Sequence, residues 1–141
     1  MSTLATTNLK HPNSASNNVV LDSSGNVRVT TLADSAGSNT STPAEIASGR
    51  AKAWVNFNGI TNAIRASYNV SSITDGGTGI YTISFTSAMS DANYSAVFST
   101  DGRSVGDISP STGGSSGVYL VTRNISGTQA EHTEVTVAVF R

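Results

Sequence analysis

Ala51-Lys52-Ala53-Trp54-Val55-Asn56-Phe57 decides the fold class of this chain, because its side chains change character at every step. A period of two puts Ala51, Ala53, Val55 and Phe57 on one face of a strand and Lys52, Trp54 and Asn56 on the other. The same period recurs downstream. Ile64, Ala66, Tyr68 and Val70 alternate with Arg65, Ser67 and Asn69; Tyr81, Ile83 and Phe85 alternate with Thr82, Ser84 and Thr86; Val135, Val137 and Val139 share one face of the run 133–140. Further β-runs cover 94–100 and 118–123. Turn signals fall between them, at Asn58-Gly59, Asp75-Gly76-Gly77, Ser90-Asp91, Asp101-Gly102 and Gly113-Gly114. Short strands at such spacing predict an all-β head over residues 50–141, an antiparallel sandwich or barrel of six or seven strands. Some runs are apolar on both faces: Trp54 opposes Val55 and Phe57, Val97 sits between Ala96 and Phe98, and Phe140 opposes the Val135 set. A second apolar face needs a cover, and another subunit is the simplest one.

Upstream the pattern changes. Residues 1–18 are polar and turn-rich and predict an extended anchor, with Leu4, Leu9, His11 and Pro12 as its contact residues. In 19–32, Val19-Val20-Leu21 and Val27-Arg28-Val29 flank Asp22-Ser23-Ser24-Gly25-Asn26, whose Gly and Asn tolerate a tight turn. A lone hairpin is marginal in water. Val19, Leu21, Val27 and Val29 are therefore expected to be covered by the same segment of sister chains, forming a short shaft. Residues 33–49 are poor in apolar bulk and read as a linker, within which Thr42-Pro43-Ala44-Glu45 has the form of a capping box and predicts one short helical turn.

Composition narrows the function classes. The 141 residues include 23 Ser, 18 Thr and 12 Asn, over a third of the chain, with no Cys and only 12% charged residues. Eight Lys or Arg against nine Asp or Glu leave a net charge of -1 and no basic run, so the cationic footprint of a nucleic-acid binder is missing. Without cysteine there is no disulfide framework and no thiolate metal site, and stability must come from packing or association. No stretch approaches the roughly 20 apolar residues of a membrane span, so no membrane insertion is expected. The first ten residues lack the basic start and apolar core of a signal peptide.

Catalytic chemistry is not expected either. Glu131-His132-Thr133-Glu134 would place His132 and Glu134 on one strand face, too few ligands for zinc unless a threefold axis repeated them. No Gly-x-Ser-x-Gly elbow is present. Asp75, Asp91, Asp101, Asp107, Glu131 and Glu134 are the carboxylates available for glycoside cleavage, and most lie in turns where such side chains bond the backbone. Asp75-Gly76-Gly77-Thr78-Gly79 has no following Lys or helix and reads as a hairpin turn rather than a phosphate loop. The expectation is no enzyme, no metal and no cofactor. The stretch 101–117 reads as a long loop, and loops of that length are usually functional. Arg103, Asp107 and Tyr119 are its candidate receptor-binding residues.

Residues 49–59, with 64–73 and 79–94, resemble a β-domain common in tail-fibre and other fibre-like virion proteins of bacteriophages, notably marine and cyanobacterial ones; Ser90 stands where such domains often have proline. The segment 21–29 is similar to the repeat of trimeric phage fibre shafts. The resemblance implies a homotrimer with a short shaft and a globular head, located on the virion tail. It implies docking onto another virion protein through residues 1–18 and contact with a host surface glycan or protein through the head. The alternative is a capsid, neck or baseplate decoration with an assembly role and no receptor, which the short shaft favours.

Overall fold

A computed structural model describes residues 8–10, 12–13, 15 and 19–141. The chain divides into two units, Met1–Ala47 and Ser48–Arg141.

The first unit is made of small hairpins. Strands β1 (Asn8–Leu9), β2 (Val19–Leu21) and β3 (Val27–Arg28) form an antiparallel sheet in that order. The β2–β3 turn is held by Asp22, whose Oδ1 accepts the N–H groups of Ser24 (3.0 Å) and Asn26 (2.9 Å), while Asn26 Nδ2 donates to Oδ2 at 3.0 Å. The same device follows at once between β4 (Leu32–Ala33) and β5 (Thr40–Ser41). There Asp34 Oδ1 accepts from Ala36 (3.1 Å) and Ser38 (3.0 Å), and Asn39 Nδ2 donates to Oδ2 at 2.6 Å. Both turns place a glycine three residues after the aspartate, Gly25 and Gly37, in the left-handed region. The stretch read as a linker therefore carries a second hairpin, because an aspartate that satisfies three turn donors fixes a hairpin without help from apolar residues. It continues into helix α1 (Pro43–Gly49), longer than the single turn expected. The capping box is formed: Thr42 N–H donates to Glu45 Oε2 at 2.7 Å and Glu45 N–H to Thr42 Oγ1 at 3.1 Å. No described residue of this unit is buried. Leu9, Leu21, Val27, Leu32 and Ile46 are 40% to 63% exposed.

The second unit is a β-sandwich. Its strands are β6 (Ala51–Phe57), β7 (Ile64–Tyr68), β8 (Val70–Gly77), β9 (Ile80–Phe85), β10 (Ser95–Thr100), β11 (Ser104–Ser109), β12 (Gly117–Asn124) and β13 (Val135–Phe140), with the short helix α2 (Pro110–Gly113) before β12. One antiparallel sheet has the order β10-β13-β6-β7 and the other β11-β12-β9-β8. The inner faces supply the core. Val55 and Phe57 meet Val135, Val137 and Val139 on one side, and Tyr81, Ile83, Val118 and Leu120 line the other. Phe57 and Tyr81 pack edge to face at 5.1 Å between ring centroids, and the Tyr81 hydroxyl donates to Gly59 O at 3.1 Å. Burial pushes the Tyr81 phenol above its usual pKa range.

Eight strands stand where six or seven were expected, for two reasons. The run 64–70 is not one strand. At Asn69, with φ +54, the chain leaves β7 and enters β8 of the other sheet. The stretch 101–117 is not a long loop but a tight turn, β11 and α2. Gly106 hides the alternation of β11: a β-carbon there would lie 2.2 Å from Val121 O, a backbone atom of the paired strand β12, and 2.9 Å from Phe98 Cζ, so backbone and ring together leave no room for a side chain.

Asn69 holds its corner with its own side chain. Nδ2 donates to Lys52 O and Ser87 O, both at 3.1 Å, and Oδ1 accepts Ser87 N–H at 2.8 Å. Asn69→Ala removes these bonds and leaves a β-carbon in the left-handed region without local compensation. The expected cost is about 2–4 kcal/mol, read as a lower urea midpoint with an unchanged slope.

Candidate functional site

The sandwich presents two outer faces of different chemistry. On the β11-β12-β9-β8 sheet, strand register aligns Ser109, Tyr119, Thr82 and Thr74 in one row across four strands. Beside it Asp107 pairs in register with Val121, and its carboxylate accepts a hydrogen bond from Arg123 Nη1 in an ion pair. This face is hydroxyl-rich with one aromatic ring. Of the three residues expected to contact a receptor, Asp107 and Tyr119 share it. Arg103 does not: it lies in the turn between β10 and β11. Sequence reasoning missed Arg123, Thr82 and Thr74, although Tyr119 and Arg123 stand an even number of residues apart on β12 and so share a face.

On the β10-β13-β6-β7 sheet the register aligns Val97, Ala138, Trp54 and Tyr68 in one row, and Ser99, Thr136, Asn56 and Ala66 in the next. Trp54, Tyr68 and Val97 are 40%, 55% and 53% exposed. A shallow groove runs between the rows, lined by Trp54, Asn56, Val97, Ser99, Thr136 and Ala138. Ser99 and Thr136 share a hydrogen bond of 2.7 Å across it, and Asn56 Nδ2 donates to Glu134 Oε1 at 3.0 Å.

The strand ends opposite Ala51, where β6 begins, carry a polar network. Asp101 accepts Thr133 Oγ1–H and, at 3.1 Å, Glu134 N–H. The His132 side chain is 11% accessible, with Nδ1 3.2 Å from Asp101 O and Nε2 buried without a protein partner. Arg65 Nη2 donates to Thr133 O at 2.5 Å, and Gly59 N–H to His132 O at 2.9 Å. Among the described residues no three His, Cys, Asp or Glu converge as metal ligands. Asp75 is engaged by Gly77 N–H (2.7 Å) and Asn62, and Asp91 by Asn93 N–H (2.7 Å) and Arg141. These contacts spend the carboxylates on turns and on the C-terminus.

The Thr133 hydroxyl, the Glu134 N–H and the nearby His132 hold the Asp101 carboxyl below the usual aspartate range. A lowered folded pKa gives stability that is complete above the unfolded value, about 4, and lost as pH falls through the folded one. Asp101→Asn should therefore flatten the loss of thermal stability below pH 4. An unchanged acid limb in a melting series from pH 6 to pH 2 would count against this role.

The anchor residues are only partly described. Leu9 lies in β1 and is exposed, and Pro12 is exposed in a turn; Leu4 and His11 lie outside the described residues. Of the shaft residues, Val19 and Val29 are half-buried, and Leu21 and Val27 are exposed.

No family model matches the sequence, and no curated protein matches it. Among solved structures, the chain is similar to the phiAB6 tailspike, whose crystal structure holds three-repeated oligosaccharides of Acinetobacter baumannii surface polysaccharide. The TM-score is 0.51 at 15% identity, over 96% of this chain and 30% of that one. The likeness is one of fold, and this chain spans less than a third of the tailspike.

Proposed function

We propose that this chain is a structural fibre protein of a bacteriophage virion, a homotrimer attached through its N-terminal residues and presenting its β-sandwich to the host surface. One observation carries the reading. A unit without a single buried described residue, yet with Leu9, Leu21, Val27, Leu32 and Ile46 exposed, precedes a sandwich with a complete core. The hairpin turns of that unit are satisfied within the chain, while these apolar side chains stay exposed, and on this reading sister chains cover them. Identical chains around one axis supply that cover at the lowest cost in new sequence. Similarity of fold to a phage tailspike supports the assignment, as do the low charge and the hydroxyl-rich loops.

For the host contact the favoured surface is the outer face around Tyr119, Thr82, Thr74 and the Asp107–Arg123 pair. Sugars take many weak hydrogen bonds and an aromatic ring, and three linked heads multiply a weak affinity. On this reading the head binds and does not cleave. Light scattering on the full chain tests assembly: three times the 14.4 kDa chain mass is expected, and a monomer sinks the proposal. The host contact is tested separately by competition. Purified protein should slow adsorption of the phage that carries it, and a protein that assembles but never competes would leave the decoration role.

A further inference from the structure

We infer that the outer face of the β11-β12-β9-β8 sheet selects uncharged glycans over acidic ones, and that the Asp107–Arg123 pair makes the choice; the inference deepens the host-contact reading above and rests on it. The row Ser109, Tyr119, Thr82 and Thr74 carries no charge. Of the rows on either side of it, Gly117, Ser84 and Ser72 have none, and Asp107 is the one charged member of the other, beside Val121 and Ile80. Arg123, one row further along β12, supplies the opposite charge, and the ion pair leaves a formal sum of zero. Its two halves are not equally presented: the Asp107 side chain is 68% accessible and that of Arg123 28%. An approaching ligand therefore meets a carboxylate first, with the less accessible guanidinium already neutralised by it. The carboxyl group of a uronic or sialic acid would be repelled at contact distance and find no free cation, whereas the hydroxyl groups of a neutral pyranose can donate to Asp107 in charge-assisted hydrogen bonds. The remaining groups suit the same ligand. Among the described residues nothing bonds the hydroxyls of Thr74, Thr82 or Tyr119, so each is open to a sugar hydroxyl, and the Tyr119 ring offers an apolar surface to the C–H face of a pyranose. On the opposite sheet, by contrast, the Ser99 and Thr136 hydroxyls bond each other.

The test is retention of the full-length protein on an array of bacterial surface polysaccharides, neutral ones beside ones bearing uronic or sialic acid, with those of the strain to which the phage adsorbs among them. Neutral glycans should be retained, with little change on raising the salt, and acidic ones should not. Asp107→Asn keeps the shape of the side chain and frees the Arg123 charge. It should raise retention of acidic glycans several-fold, in a manner that salt suppresses, and weaken neutral binding. Thr82→Val removes one hydroxyl at constant shape and should weaken neutral binding several-fold, with circular dichroism and assembled mass unchanged. Retention of acidic glycans by the unaltered protein, weakened by salt, overturns the choice of ligand and leaves a glycan contact standing. Neutral binding that neither variant moves places the contact on another surface and overturns the inference as well. An assembled protein that retains no glycan of either class overturns the glycan contact itself, the host-contact reading together with the inference.

Discussion

Gly79→Ala is expected to cost the head about 3–5 kcal/mol, near the upper end for a single substitution. Gly79 has φ +69, in the turn between β8 and β9. A β-carbon there would lie 2.5 Å from Thr122 O and 2.6 Å from Ala130 O, and both are backbone atoms that cannot swing aside. The site is a junction rather than a simple turn. Gly79 O accepts Thr122 N–H at 2.7 Å, Thr122 O accepts Ala130 N–H at 3.1 Å, and Thr122 Oγ1 donates to Ala130 O at 2.7 Å. Thr122 is the one buried polar residue among the described residues, so disturbing the junction strands its hydroxyl as well. At about 4–8 °C per kcal/mol for a unit of this size, the melting temperature should fall by roughly 12–40 °C. Gly102→Ala is the control, because φ is +92 there but nothing lies within 4 Å of the added carbon. It should cost about 1–2 kcal/mol. Equal effects of the two substitutions would mean that backbone strain alone, and not the junction, governs Gly79.

The second large effect concerns assembly. Leu21→Asp together with Leu32→Asp should convert the proposed trimer into monomers while the head keeps its circular dichroism and melting. Leu21 and Leu32 are 40% and 51% exposed and take no part in the core of the sandwich. A substitution at either is cheap within one chain. Across an interface each aspartate would bury a carboxylate without a partner, at several kcal/mol apiece. Sedimentation of the purified variant reads the result: a chain-mass species is expected, and an undiminished trimer would place the assembly contacts elsewhere.

Legibility of the fold followed the physics of each segment. The core strands β6, β9 and β13 could be read residue by residue, since one face of each is buried and the other is not. Alternation fails where that asymmetry fails. All five residues of β7 are exposed, so nothing in its pattern announced that the chain changes sheets at Asn69. Gly106 leaves a gap in β11 at an inward position, where Phe98 fills the space from another strand; no local window contains that information. The second hairpin, at Asp34, was concealed by a composition that resembles a linker, although Asp22-Ser23-Ser24-Gly25 and Asp34-Ser35-Ala36-Gly37 are near repeats. For the candidate surface, residue type was more legible than partnership. Asp107 and Tyr119 could be picked from the chain, whereas the pairing of Asp107 with Arg123 depends on the β11–β12 register.

Asn58-Gly59 is the dipeptide most prone to spontaneous deamidation, a reaction in which the glycine nitrogen attacks the asparagine side chain to close a succinimide ring. Here the glycine N–H is committed to His132 O, the glycine is buried under the Tyr81 hydroxyl, and Asn58 Oδ1 accepts Ile60 N–H at 2.9 Å. Closing the ring would require all three to let go. The bonds that shape this turn therefore also slow its chemical ageing.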